Sequence, residues 1–282
     1  MKQIVVISGK GGTGKTFLTA SLAAIAKNKV MADCDVDAAN LHLMMDPQIK
    51  NKEEYVGSRI AVMDKDKCVK CLKCHFACRF GAIPESLEFD PFSCEGCGTC
   101  ALVCPEKAIA MQDEVSGTIF TSQTAYGTFI HARLKPGGES SGKLVARVRE
   151  IAQKTAEQEK KEYVLIDGSP GIGCPVIASL TGVDYAIIVV EPTLSGIHDM
   201  ERVLEVVAHF KVGAGVVINK SDLNQDNTDK IRAWCVERNV PLLAELPFSK
   251  TVVESVVKAR PYPELYQDLI SERIKLVWDS IK

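Results

Sequence analysis

The chain has 282 residues and a net charge of −2, from 34 Lys and Arg against 36 Asp and Glu. That balance gives no reason to expect nucleic acid or an acidic surface as a partner, and the length is enough to bury a full core, as one large domain or two smaller ones. The N-terminal apolar run, Ile4 to Ser8 at most, is too short for a signal peptide, and no run approaches the roughly 18 apolar residues of a membrane span. The expectation is a cytoplasmic protein with no membrane partner, and its eleven cysteines then point to metal rather than to disulfides.

The first predicted strand is Ile4-Val5-Val6-Ile7. It runs into Gly9-Lys10-Gly11-Gly12-Thr13-Gly14-Lys15-Thr16 and then a helix from Lys15 to about Asn28, with Leu18, Leu22, Ile25 and Ala26 at helical spacing. Strand, glycine loop, Gly-Lys-Thr and helix is the order of a P-loop. The glycines let consecutive N–H groups turn inward as a nest for phosphate oxygens, and the helix points its positive end at the same phosphates. On this reading Gly9 to Thr16 bind nucleotide, Lys15 reaches the outer phosphates and the Thr16 hydroxyl sits on Mg²⁺. The alternative is a glycine-rich turn without nucleotide. The second lysine, Lys10, resembles the deviant P-loop of the MinD/ParA/nitrogenase iron-protein superfamily. The resemblance implies that Lys10 crosses the interface of a nucleotide-sandwiched pair, and hence a homodimer when ATP is bound.

A second strand, Val30-Met31-Ala32, ends in Asp33-Cys34-Asp35-Val36-Asp37, with Asn40 following. Carboxylates at the carboxyl end of a buried parallel strand lie where open α/β sheets bind ligands. Asp33, Asp35 and Asn40 fit switch I of the same superfamily. By that resemblance Asp33 lies near the Mg²⁺ shell and Asp35 orients or activates the attacking water; the plain alternative is a helix N-cap with surface acids. From about Pro47 the apolar rhythm is lost, and Lys50-Asn51-Lys52-Glu53-Glu54 reads as a polar surface connection.

Cys68, Cys71, Cys74 and Cys78 are followed, 26 residues on, by Cys94, Cys97, Cys100 and Cys104. Each unit reads C-x2-C-x2-C-x3-C, and Phe80-Gly81-Ala82-Ile83 is echoed by Glu106-Lys107-Ala108-Ile109. Zinc also takes four cysteines, usually as two separated C-x2-C pairs. The run resembles bacterial ferredoxins with two [4Fe–4S] clusters, where the fourth cysteine of each run serves the other cluster. The resemblance implies one cluster on Cys68, Cys71, Cys74 and Cys104 and a second on Cys94, Cys97, Cys100 and Cys78. The first run ends Cys78-Arg79 where the pattern has Cys-Pro, as at Cys104-Pro105. A cation at Arg79 would favour the reduced state of the second cluster and raise its potential.

After Gln112, Thr118-Ile119-Phe120-Thr121 and Thr128 to Arg133 read as a hairpin about Ala125-Tyr126-Gly127, with His131 and Arg133 as surface residues. Lys135 to Gly142 reads as a loop, and Leu144 to about Glu159 as a helix. The strand Tyr163-Val164-Leu165-Ile166 delivers Asp167, then Gly168-Ser169-Pro170-Gly171. This resembles Walker B with switch II, so that Asp167 would hold Mg²⁺, through water, and the Gly171 N–H would sense the γ-phosphate. Cys174 lies seven residues after Asp167, the offset of a cluster cysteine in the nitrogenase iron protein; a buried, unligated thiol is the expectation. Tyr185 to Val190 is a strand, and a helix follows from Ser195, as N-cap, to Phe210. Gly213 to Ile218 delivers Asn219-Lys220-Ser221-Asp222. The superfamily uses Asn here for the base, which implies Asn219; Asn-Lys-x-Asp is also the guanine-reading motif of GTPases, so Asp222 keeps GTP open. Pro247 and Phe248, after a last strand from Leu242 to Leu246, are placed to close over the base. The tail from Tyr262 reads as one helix, with mixed charges on its polar face and not the basic face of a membrane anchor, and is expected to dock on the core.

The fold expected is α/β, a doubly wound, mainly parallel P-loop sheet carrying a small inserted α+β bacterial-ferredoxin-like domain. Residues 1-58 and 114-282 form the nucleotide domain and 59-113 the insert. The chain resembles MinD-superfamily ATPases that carry such an insert. The resemblance implies hydrolysis of Mg-ATP, with Mg²⁺ and Lys15 stabilising charge, Asp35 positioning water and Lys10 completing the partner copy's site. Its use is open among ATP-gated electron transfer to an unidentified redox or client protein, iron–sulfur cluster assembly or delivery, and a redox-sensing positioning ATPase. An amide-forming ligase of the cobyrinic acid synthase type would lack its glutamine-hydrolysing part here.

Overall fold

Unbroken aliphatic runs become central parallel strands because such strands are buried on both faces. In the computed structural model, whose described residues are 1–135 and 142–282, the elements run β1 (Lys2–Ser8), α1 (Lys15–Ile25), β2 (Lys29–Asp33), α2 (Leu41–Met45), β3 (Gln48–Met63), α3 (Lys73–Ala77), α4 (Thr99–Val103), β4 (Ile109–Thr124), β5 (Gly127–Leu134), α5 (Gly142–Gln158), β6 (Tyr163–Pro170), α6 (Cys174–Leu180), β7 (Tyr185–Val190), α7 (Leu194–His209), β8 (Gly213–Asn219), α8 (Gln225–Glu237), β9 (Leu242–Leu246), α9 (Lys250–Val257), α10 (Tyr262–Leu265) and α11 (Leu269–Ile281). Strand order is β3-β4-β5-β2-β6-β1-β7-β8-β9, and β2 and β6, β6 and β1, β1 and β7, β7 and β8, and β8 and β9 pair in parallel. The loop expected over Lys135 to Gly142 lies, but for its ends, outside the described residues.

The chain divides into two compact units, one of Met1–Glu53, Ile119–Arg133 and Ser140–Lys282, the other of Glu54–Thr118 and Leu134–Glu139. The core of the first packs α1, β1, β2, β6 and the C-terminal helix through Leu18, Leu22, Met31, Leu165, Ile274 and Val277. The tail does dock on this core, through Ile270, Ile274, Val277, Trp278 and Ile281, with the Trp278 ring edge-on to Tyr163 at 5.0 Å. It is two helices and not one. Tyr266 is extended after α10, and Asp268 caps α11, its Oδ1 accepting from the Ile270 and Ser271 amides. No helix is long and apolar enough to cross a membrane among the described residues.

Three further expectations are corrected. Lys50 to Glu54 is not a connection: it lies within the 16-residue strand β3. Most of β3 is exposed on both faces, so no apolar alternation marked it as a strand. The N-cap of α7 is Thr193, whose hydroxyl accepts from the Gly196 amide at 3.0 Å, and not Ser195. His131 is buried, 7% exposed, stacked on Phe129 at 4.7 Å and Phe120 at 5.0 Å and bonded through Nε2 to the Ser122 hydroxyl at 3.2 Å; Arg133 is exposed.

Burial pushes the His131 pKa down to about 4, with His42 and Arg133 adding to it. The folded chain therefore holds His131 neutral where the unfolded chain protonates it. The stability tied to the neutral ring is present above about pH 6.5 and is lost as pH falls toward 4, about 3 kcal/mol in all. His131→Phe is expected to remove most of that acid sensitivity, read by urea unfolding at pH 7 and pH 4 from Trp234 and Trp278 fluorescence. Parallel losses in both proteins would place the acid sensitivity elsewhere.

Candidate nucleotide and cysteine sites

The register of β2 against β6 sets Asp33 beside Asp167 at the carboxyl ends of the two strands, next to the loop that leaves β1. The loop is shaped by two close approaches. Gly14 has φ +93°, and a Cβ there would lie 2.2 Å from Asn219 Nδ2; a Cβ on Gly9 would lie 2.3 Å from Cβ of Asp199. Gly14 then caps α1, which starts with Lys15.

Lys15 is buried, and its ammonium donates to Asp167 Oδ1 at 3.1 Å and to Asp35 Oδ2 at 3.2 Å. The Thr16 hydroxyl donates to Asp167 Oδ2 at 2.8 Å and the Thr19 hydroxyl to Asp167 Oδ1 at 2.9 Å. Asp33 accepts from the Asp35 amide at 3.0 Å and the Leu41 amide at 3.3 Å. The sequence-predicted residues Lys15, Thr16, Asp33, Asp35 and Asp167 thus meet in one buried cluster. Burial works against the Lys15 charge, but Asp167, Asp35 and Asp33 together outweigh it and its pKa is raised. Burial, and then the Asp167 carboxylate, push the Asp33 pKa up, against the opposing pull of the Lys15 ammonium and the Asp35 amide. Thr19 was not singled out from sequence; its signal was the i, i+3 spacing from Thr16 on one helix face.

Other residues have partners of their own. The Gly171 amide donates to Ser8 O at 2.8 Å. Asn219 donates from Nδ2 to Thr13 O at 2.7 Å and accepts from the Lys220 amide at 3.0 Å, so it buttresses the glycine loop. Asp222 Oδ1 accepts from the Phe248 amide, just after Pro247, at 2.6 Å. Lys10 folds back on its own chain, Nζ lying 3.2 Å from Thr193 Oγ1, 3.3 Å from Ser195 Oγ and 3.8 Å from Glu191 Oε2. Lys220 also pairs with Glu191. Cys174 is exposed at the start of α6, against the expectation of a buried thiol, whereas Cys34 and Cys235 are buried. Burial raises the Cys34 thiol far out of the reactive range.

In the second unit, α3 and α4 begin at equivalent places of the repeat, after Leu72 and Gly98 in the left-handed region. Two cavities result. One is lined by Cys68, Cys71, Cys74 and Cys104; the other by Cys78, Cys94, Cys97 and Cys100. The fourth cysteine of each run faces the other run's cavity. Among the described residues no three His, Cys, Asp or Glu side chains are grouped as for a single metal ion. Soft cysteine sulfurs spread around a cavity suit a guest larger than one ion.

A model of the CobQ/CobB/MinD/ParA nucleotide-binding domain matches residues 4–262. The chain belongs to that family. A protein of Methanocaldococcus jannaschii with no described function is 38% identical over 99% of this chain and 96% of its own length. The structure of the septum site-determining protein MinD from Pyrococcus horikoshii, complexed with Mg-ADP, superposes with a TM-score of 0.64 over 100% of this chain and 96% of that one, at 17% identity, a likeness of fold. A 52-residue stretch is 48% identical to the pyruvate synthase subunit PorD of Methanothermobacter marburgensis, covering 18% of this chain and 64% of PorD. In this CobQ/CobB/MinD/ParA-family chain, the P-loop cluster lies in the first unit and the cysteine cavities in the second.

Proposed function

We propose that the protein is a Mg-ATP-hydrolysing iron–sulfur protein in which a nucleotide-driven dimer switch gates electron transfer through two [4Fe–4S] clusters to a redox or client protein. The observation that carries it is the division of eight cysteines into two four-cysteine cavities, in a chain whose other unit gathers a P-loop lysine with strand-end carboxylates. The complete ligand sets support resident clusters over transferable ones. The likeness to PorD, a pyruvate synthase subunit, supports a ferredoxin-type insert over residues 59-113. When bound, the clusters would supply one-electron chemistry.

In the nucleotide unit, Gly9 to Thr16 would hold the phosphates and Thr16, Asp33 and Asp167 the Mg²⁺ shell. With Mg²⁺ and nucleotide bound, the Lys15 ammonium would leave Asp35 and Asp167 for the phosphates, and the metal's charge would take its place beside the carboxylates. Asp35, released, would accept a hydrogen bond from the attacking water. Gly171 would exchange Ser8 for the γ-phosphate, the kind of ordering that turns hydrolysis into movement. Asn219, Asp222 and Pro247 would frame the base. The P-loop lysine pair and the switch I pattern support adenine over guanine as the base.

Lys10 would leave Thr193, Ser195 and Glu191 to reach the second copy's phosphates. Lys10→Ala is accordingly expected to bind Mg-ATP but to release phosphate at least tenfold more slowly and to remain monomeric with ATP on size exclusion. An anaerobic EPR redox titration with and without Mg-ATP tests the coupling. A shift of about 59 mV in one midpoint, a tenfold change for one electron, that is absent in Lys10→Ala is expected. Unchanged midpoints with nucleotide bound would rule out gating through cluster potential.

A further inference from the structure

The repeat makes one cysteine set the control for the other. Cys71 and Cys97 are both exposed, and Cys74 and Cys100 are each 7% exposed. Sulfur takes part in hydrogen bonds in both sets: the Lys70 amide donates to Cys68 at 3.4 Å and the Ala108 amide to Cys104 at 3.3 Å, while Cys97 Sγ donates to Thr99 Oγ1 at 3.4 Å. Exposure and hydrogen bonding are two of the levers on cluster potential; the fold applies exposure about equally, and both amide donors act on the Cys68 set. Charge differs between the copies in the same sense. Shifted by 26 residues, Val69 corresponds to Glu95, Lys70 to Gly96 and Lys73 to Thr99. The Cys68 cavity is lined by Lys73 and Glu106, while the Cys94 cavity is lined by Asp90 and Glu95 and by no cation. Asp90 is held ionised, its carboxyl pulled below the usual range by the Ser93 hydroxyl and the Phe92 amide. Arg79, the cation that the sequence placed beside the second set, is exposed and lines neither cavity.

We propose that the two sites are inequivalent in a fixed order: the set Cys68, Cys71, Cys74 and Cys104 holds its cluster at the higher potential, and the set Cys94, Cys97, Cys100 and Cys78 at the lower. An added electron makes a cluster more negative, which neighbouring lysine favours and neighbouring carboxylates oppose. The side chains are partly exposed and screened, so the separation is modest, about tenfold in the one-electron equilibrium, or about 59 mV. In the one-electron-reduced protein the electron rests in the Cys68 set. Each step takes one electron from a low-potential one-electron donor, dithionite in the test, with no bond made or broken. This order is the reverse of what Arg79 alone suggested, and it rests on the two-cluster reading above.

The test uses the full-length protein, purified anaerobically and titrated with dithionite under EPR after its iron and acid-labile sulfide have been measured. Two reduction steps at least tenfold apart are expected. Lys73→Gln should lower only the upper midpoint and Glu95→Gln should raise only the lower one. Val69→Glu/Lys73→Thr, which gives the first copy the side chains of the second at two of the three positions Val69, Lys70 and Lys73, should bring the steps closer together. Iron far from about eight per chain would defeat the two-cluster reading itself. Full iron with coincident midpoints, or with Lys73→Gln moving the lower step, would overturn the order alone.

Discussion

Lys15→Ala is expected to slow phosphate release by at least about 100-fold, the scale set by loss of one charge-stabilising donor, and to destabilise the nucleotide-free protein by about 3 kcal/mol. Both effects come from one geometry. The ammonium is the cation between Asp35 and Asp167, and Asp167 is fully buried, so removing Lys15 strands a carboxylate with no water to solvate it. Asp33 supplies the contrast. Burial and Asp167 push its pKa up, so the fold disfavours its charge, and Asp33→Asn is expected to cost no more than about 1 kcal/mol, chiefly through the weaker bond from the Leu41 amide. Phosphate release and urea unfolding of both variants decide the matter. Wild-type hydrolysis in Lys15→Ala would remove the P-loop reading, and equal destabilisation by the two substitutions would mean that Asp33 carries charge.

The largest effect in the second unit is expected from pairs of cysteine substitutions. Cys71→Ser and Cys104→Ser should each lower iron from about eight to about four per chain. Because Cys71 and Cys104 line the same cavity, the double variant should also keep about four. Cys71→Ser/Cys78→Ser should lose nearly all, since Cys78 lines the other cavity. Uncrossed ligation predicts the opposite outcomes for the two doubles, so iron analysis alone separates them. Folding should follow the iron. The buried apolar cluster of this unit is Ala61, Cys74, Ile83, Leu87, Cys100 and Ile109, two of them ligand candidates. So small a core would lean on the proposed clusters, and protease sensitivity confined to residues 54–118 is expected in the iron-free double.

The sequence alone determined the parts whose signal is local. A glycine loop between an aliphatic strand and a helix can be read from residue order, because phosphate binding needs that backbone and little else. The eight cysteines declare themselves by spacing and by their 26-residue repeat. The buried strands carried enough aliphatic residues to be seen, from Ile4–Ile7 to Leu242–Leu246. What tertiary structure decided is what depends on residues far apart in the chain. β3 pairs with β4 but buries almost nothing, so no periodicity announced it. His131 is covered by Phe120 and Phe129, and one strand does not reveal what stacks on it. That Asp33 is pushed toward its neutral form while Asp35 and Asp167 bind Lys15 follows from strand register and burial, which set the local field. The charges around the two cysteine sets belong here too. Arg79 is adjacent to Cys78 in sequence yet lines neither cavity, whereas Asp90 and Lys73 do, because field strength follows distance through space and not separation along the chain.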